Sequence, residues 1–129
     1  MIHIKKLLLV PFIFLAGMIS CIAQSGPAIQ AKEFSEKCHD ENAILLDVRT
    51  PKEYAAGHLK GAMLINIFDD NFSEQVAKLD KTKTVYVYCA SGGRSSEAQE
   101  LMLKSGFKNV VNLAGGIEAW KKAGLPVEQ

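Results

Sequence analysis

The sequence predicts an α/β domain in which a parallel β-sheet carries helices on both faces, and three observations predict it. Strand-like and helical segments alternate from residue 31 onward with short connections, the pattern of parallel strands joined by crossover helices. Residues 43–48 (AILLDV) form the continuous apolar run expected of a strand buried on both sides. Thr84–Tyr88 (TVYVY) is wholly β-branched or aromatic.

The elements follow in order. Residues 25–30, with Gly26 and Pro27, read as the end of a linker spanning 21–30, before a domain over 31–129. Residues 31–38 have helical character, with Phe34 and Cys38 one turn apart on one face. After the 43–48 strand, Thr50 is a plausible N-cap and Pro51 suits the first turn of a short helix through Ala56, stopped by Gly57. Residues 62–67 (AMLINI) are a second strand candidate, and 72–79 a helix with Phe72, Val76 and Leu79 on one side. A glycine-rich turn follows Thr84–Tyr88. Residues 95–105 then read as a helix with Ala98, Leu101 and Met102 facing inward, closed by Gly106. Val110–Leu113 (VVNL) is a further strand and 117–123 a further helix, ended by Gly124 and Pro126.

The chain has 129 residues, enough for one domain, and its composition (48% hydrophobic, 22% charged) is that of a globular protein. Lys5 and Lys6 precede an uncharged apolar run over 7–19 that is short for a membrane span, so residues 1–20 read as an export signal. Met18-Ile19-Ser20-Cys21 resembles a bacterial lipobox, which would make Cys21 a lipidated first residue that anchors the protein to a membrane. An ordinary cut after Ala23 is the other reading. Both place the protein outside the cytoplasm, in the periplasm or cell envelope.

Loss of Lys5 and Lys6 takes the 15 basic residues to 13 against 14 acidic, a net charge near −1. That leaves no broad footprint for nucleic acid, so any anion binding must be local. Three cysteines, one of them in the export region, are too few for a disulfide scaffold.

The chemistry points to Cys89-Ala90-Ser91-Gly92-Gly93-Arg94-Ser95, which runs from a strand directly into a helix. Gly92 and Gly93 allow the backbone to curl so that successive N–H groups form an anion nest, and the helix N-terminus adds to its field. Arg94 supplies charge, while Ser91 and Ser95 supply hydroxyls. A cysteine at the base of such a cup is expected to favour its thiolate. In a parallel sheet, ligands bind beyond the carboxyl ends of the strands, where this loop lies. An isolated cysteine at a strand end would read as a small buried hydrophobe, but the glycine-rich turn into a helix favours a nucleophile at Cys89.

This loop resembles the active-site loop of the rhodanese family, in which cysteine opens a six-residue cup that often ends in Arg before Ser or Thr. Asp47-Val48-Arg49-Thr50-Pro51 with Glu53-Tyr54, then Gly57-His58-Leu59-Lys60-Gly61-Ala62 and Ile65-Asn66, resemble the family's first signature. Gly115-Gly116-Ile117 with Trp120, then Gly124-Leu125-Pro126-Val127, resemble its C-terminal signature. The resemblance implies a single-domain sulfurtransferase of the thiosulfate type. Its cysteine takes sulfur from a small anionic donor, holds it as a persulfide, and yields it to a thiol or a protein acceptor, with no metal or organic cofactor.

Tyrosine-phosphatase-like enzymes and arsenate reductases place five residues between cysteine and arginine, whereas four separate Cys89 from Arg94, which suits sulfur better than a tetrahedral phosphate. A binding or delivery module that holds sulfur without turnover is the other alternative. Many thiosulfate-active members carry a cation directly after the cysteine. Ala90 stands there, which favours polysulfide or persulfide donors.

Arg49 is a candidate anion ligand at the same end of the sheet, but the reading preferred is that Asp47 ties the loop while Arg49 makes structural contacts or stays solvated. His58 reads as a turn residue, not a general base. His39 has no partner at metal-ligand spacing, so no metal site is expected. Cys38, Trp120, Tyr86 and Tyr88 read as packing residues. Lys81, Lys83, Lys121 and Lys122 read as solvated charges.

Overall fold

The computed structural model describes residues 26–129; the export signal, Cys21 and the first part of the linker lie outside the described residues. Ten elements alternate along the chain: β1 Ala28–Ile29, α1 Ala31–Lys37, β2 Ala43–Asp47, α2 Pro51–Ala56, β3 Met63–Leu64, α3 Phe72–Ala77, β4 Thr84–Tyr88, α4 Gly93–Lys104, β5 Val110–Leu113 and α5 Gly116–Lys122. The strands form one sheet in the order β1-β5-β4-β2-β3. Every neighbouring pair is parallel. This is the α/β architecture expected from the alternating pattern.

β4 lies at the centre, and its two-residue period sorts the core. Val85 and Val87, with Cys89 just beyond, join Leu46, Phe72, Val76, Ala98, Met102 and Val110 on the face covered by α3 and α4. Tyr86 and Tyr88 join Phe34, Cys38, Leu113, Ile117 and Trp120 on the face covered by α1 and α5. The Phe34 ring meets Tyr86 and Trp120 edge-on, at centroid separations of 5.4 and 6.5 Å. Alternation on a strand buried on both sides thus explains why TVYVY carries two kinds of large side chain.

Three details differ from the sequence reading. The stretch read as linker contributes β1, which pairs with β5 through Ala28–Asn112 and Ile29–Leu113. A strand of two residues has no side-chain period to reveal it. The strand read over 62–67 is reduced to Met63–Leu64 at the edge of the sheet. Beyond it, single main-chain bonds from Ile65 to Asp47 and from Ile67 to Val48 carry the chain along. On α4, Leu101 is 38% exposed, and the inward face is Ser95, Ala98, Gln99 and Met102. Gln99 takes the buried position because its side-chain amide donates to the carbonyls of Pro27 (2.9 Å) and Val110 (2.7 Å), which fastens β1 to the sheet.

α2 starts as expected. The Glu53 amide donates to Thr50 Oγ1 at 3.3 Å, and that hydroxyl donates to Glu53 Oε1 at 3.1 Å. Both are capping contacts of the first turn. Thr50→Ala is expected to cost about 1 kcal/mol, read as a lower urea midpoint at unchanged slope.

Candidate active site

β4 ends at Tyr88, and the next residue, Cys89, begins the turn into α4 at the carboxyl edge of the sheet. Gly92 has φ +111°, in the left-handed region that a side chain would strain. That conformation turns the chain back over the cysteine. The Gly92 amide donates to Cys89 Sγ at 3.1 Å, and Ser95 Oγ lies 3.3 Å from the same sulfur. Cys89 is only 1% exposed. Burial pushes its pKa up. The Ser95 hydroxyl and the amides of Ser95, Gly92 and Ser91 outweigh that and hold it below the ordinary thiol value. The nest expected from the sequence is therefore assembled around the sulfur.

Ser95 Oγ also lies 3.2 Å from the Gly92 carbonyl. Its single proton can go to that oxygen or to the sulfur, and a thiolate is the stronger acceptor. The Gly92 carbonyl keeps the Ser96 amide (3.0 Å) and the Asn112 side-chain amide (3.4 Å) when the hydroxyl turns away. Ser95→Ala is expected to move the thiolate midpoint of Cys89 upward and to slow its alkylation at neutral pH on the order of tenfold. An unchanged curve of iodoacetamide rate against pH would show that the hydroxyl does nothing for the sulfur.

The remaining loop residues serve differently. Ser91 is exposed and acts through its amide, and Gly93 opens α4. Ala90 and Cys89 present their carbonyls to the first turn of α5, where the Ile117 amide donates to Cys89 (2.9 Å) and the Glu118 amide to Ala90 (3.1 Å). Gly116, at φ +62°, lies so close that a Cβ there would sit 2.6 Å from the Cys89 carbonyl oxygen. The C-terminal glycine pair thus braces the cysteine loop from beneath, whereas sequence reasoning saw in it only a resemblance to the family's C-terminal signature.

Arg94 is not among the groups that bond the sulfur. Both terminal nitrogens bond Glu53, one to each carboxylate oxygen at 2.8 Å, and the guanidinium lies 5.7 Å above the exposed Phe68 ring. Arg94 beside it holds the Glu53 carboxyl down at about 2, so the pair is ionised at neutral pH.

Arg49 requires a correction. Proposed as an anion ligand, it is 4% exposed, and its Nε and Nη2 donate to the Asp47 carboxylate at 2.8–3.1 Å and to the Gly57 carbonyl at 2.7 Å. Asp47 lies two residues back at the end of β2 and holds the guanidinium. Arg49 is scaffold.

Cys38 lies in the core on the opposite face of the sheet from Cys89, and burial pushes its thiol up to about 11. His58 stacks on Tyr54 at 3.7 Å, its Nδ1 lies 2.9 Å from the Tyr54 carbonyl, and its main chain pairs with Glu128. It is a turn residue. No cluster of metal-ligating side chains occurs among the described residues.

Fold and loop together define a parallel α/β protein organised around one activated thiol in a ring of amides. The chain belongs to the family of the rhodanese-like domain, which matches residues 30–123. It is 34% identical over 100 residues to a protein named sulfurtransferase from Allochromatium vinosum, across 77% of this chain and 92% of that protein. It is 44% identical over 105 residues to the "Probable adenylyltransferase/sulfurtransferase MoeZ" of Mycobacterium tuberculosis, across 81% of this chain and 27% of that protein. The chain spans about a third or less of the length of several curated relatives, among them MoeZ and a tRNA uridine(34) hydroxylase of Hamiltonella defensa. Among solved structures it is similar to a rhodanese-related protein from Thermoplasma volcanium, with a TM-score of 0.70 and 32% identity across 79% of this chain and 97% of that one.

Proposed function

We propose that the chain moves sulfane sulfur from a small donor to a thiol-type acceptor through a persulfide on Cys89. The observation that carries this reading is the sulfur held between the Gly92 amide and the Ser95 hydroxyl. The Cys89 thiolate attacks the outer sulfur of the donor. For thiosulfate, an S–S bond forms to Cys89, the donor's own S–S bond breaks, and sulfite leaves with the electron pair. An acceptor thiolate then attacks the outer sulfur of the persulfide, takes it, and returns Cys89 as thiolate. The transfer is divided into two displacements, with no redox agent and no metal. The terminal sulfur of the persulfide carries the negative charge, and the amides that favoured the thiolate can follow it outward.

Phosphate ester hydrolysis fits less well. The guanidinium that would clamp a phosphoryl group is bound to Glu53, and the cup is one residue shorter. Thiosulfate, polysulfide and small persulfides are the donors to test, and a thiol or a protein thiol the acceptor. An envelope setting belongs to the same proposal and rests on residues 1–23 alone; the mass of the exported protein tests it. Incubation of the reduced protein with each donor should add the mass of one sulfur atom, removable by dithiothreitol, and turnover with cyanide should give thiocyanate. Sulfur uptake without turnover would make the chain a carrier, and neither result would end the sulfur-transfer reading.

A further inference from the structure

We infer that Glu53 determines donor selectivity by cancelling the charge of Arg94, so that the site disfavours doubly charged donors such as thiosulfate. This rests on the sulfur-transfer reading and specifies its substrate class. Two arginines approach the cysteine loop, and both are engaged. Arg49 is held by Asp47 and the Gly57 carbonyl, and it lies 5.6 Å over the Tyr88 ring. Arg94 is held at both terminal nitrogens by Glu53. Ala90, beside the cysteine, brings no charge. The attraction left in the cup is that of main-chain amides and the N-terminus of the twelve-residue helix α4.

Those dipoles already serve one negative charge, on Cys89. Among the described residues, neither Arg49 nor Arg94 is left unpaired for a dianion that arrives beside it. A donor with one charge is repelled half as strongly, since Coulomb energy scales with the product of the charges. Beside the guanidinium, Phe68 is 66% exposed and adds an apolar rim that thiosulfate cannot use but an organic donor can. The Glu53–Arg94 pair is partly exposed, with side chains 32% and 24% accessible. Its role is therefore one of charge placement at the mouth, not of a buried support. Glu53 touches neither sulfur nor donor and acts through Arg94, as a positioning residue.

The test compares two donors of different charge, thiosulfate and methanethiosulfonate, with cyanide as acceptor. Glu53→Gln keeps a side-chain oxygen for the Thr50 hydroxyl, so the cap of α2 survives, while the positive charge of Arg94 is no longer offset. The variant is expected to lower the KM for thiosulfate on the order of tenfold and that for methanethiosulfonate by about threefold, with kcat for both within about twofold of the parent. Added salt should shrink the difference. Equal changes for the two donors, or a fall in kcat alone, would reduce Glu53 to a structural support and overturn the inference. A parent protein that turns over both donors, with a KM ratio that Glu53→Gln leaves unchanged, would overturn it and leave the sulfur-transfer reading standing. If Cys89 of the parent takes sulfur from neither donor, both readings fall together.

Discussion

Cys89→Ser is expected to remove sulfur uptake altogether, with a loss of turnover of roughly 10³-fold or more. A serine hydroxyl in the same cup stays protonated at neutral pH, because its acidity lies far below that of a thiol and the amides cannot make up the gap. It also cannot form the sulfur–sulfur bond on which the second displacement depends. The fold should survive. The side chain is 1% exposed, but the Gly92 amide and Ser95 hydroxyl that now bond the sulfur can bond an oxygen, so no polar group is left unpaired. Intact mass after donor treatment reads the outcome, with circular dichroism as the check on folding. A Cys89→Ser protein that still gains a removable sulfur would move the chemistry elsewhere. Cys38 would be the only other described thiol, although it is buried on the far face with its pKa raised.

Gly116→Ala should be the most damaging change that leaves every reacting group in place. At φ +62° an alanine is strained, and its Cβ would run into the carbonyls of Cys89 and Ala90. These are backbone atoms, anchored by the amides of Ile117 and Glu118, and cannot swing aside as a flexible side chain would. Strained backbone and overpacking together predict a loss of about 2–4 kcal/mol. Moving the Cys89 carbonyl also tilts the sulfur out of its ring of donors, so turnover should fall at least about tenfold. Gly61→Ala is the matched control, because Gly61 has φ +79° with nothing within 4 Å of the added carbon. It should show only the backbone cost, about 1 kcal/mol. Denaturant unfolding of the two variants gives the comparison. If Gly116→Ala is no worse than Gly61→Ala, the proposed brace beneath the loop does not exist.

The sheet was legible in the sequence wherever chemistry and period agreed. Thr84–Tyr88 and Val110–Leu113 are strands over the residues expected, and Thr50 caps α2 as read. The cysteine cup was legible for the same reason: strand, glycines and helix are neighbours along the chain, so local conformation determines where the amides point. What escaped depends on partners distant in sequence. Glu53 and Arg94 lie 41 residues apart, and no local pattern shows that a carboxylate will take up the loop's cation. Gln99 displaced Leu101 from the inward face because a polar side chain with two buried carbonyls to satisfy outcompetes a leucine for that position. Asn112 likewise reads as a strand residue, and only its approach to Gly92 ties it to the site.

The outermost strands β1 and β3 are each two residues long. A long bare margin offers other molecules a template of unpaired amides and carbonyls, the starting point of aggregation and fibre growth. Among the described residues that template is short. Crowding should therefore give little intermolecular strand addition as long as Gln99 keeps its grip on Pro27 and Val110 and holds β1 to the sheet.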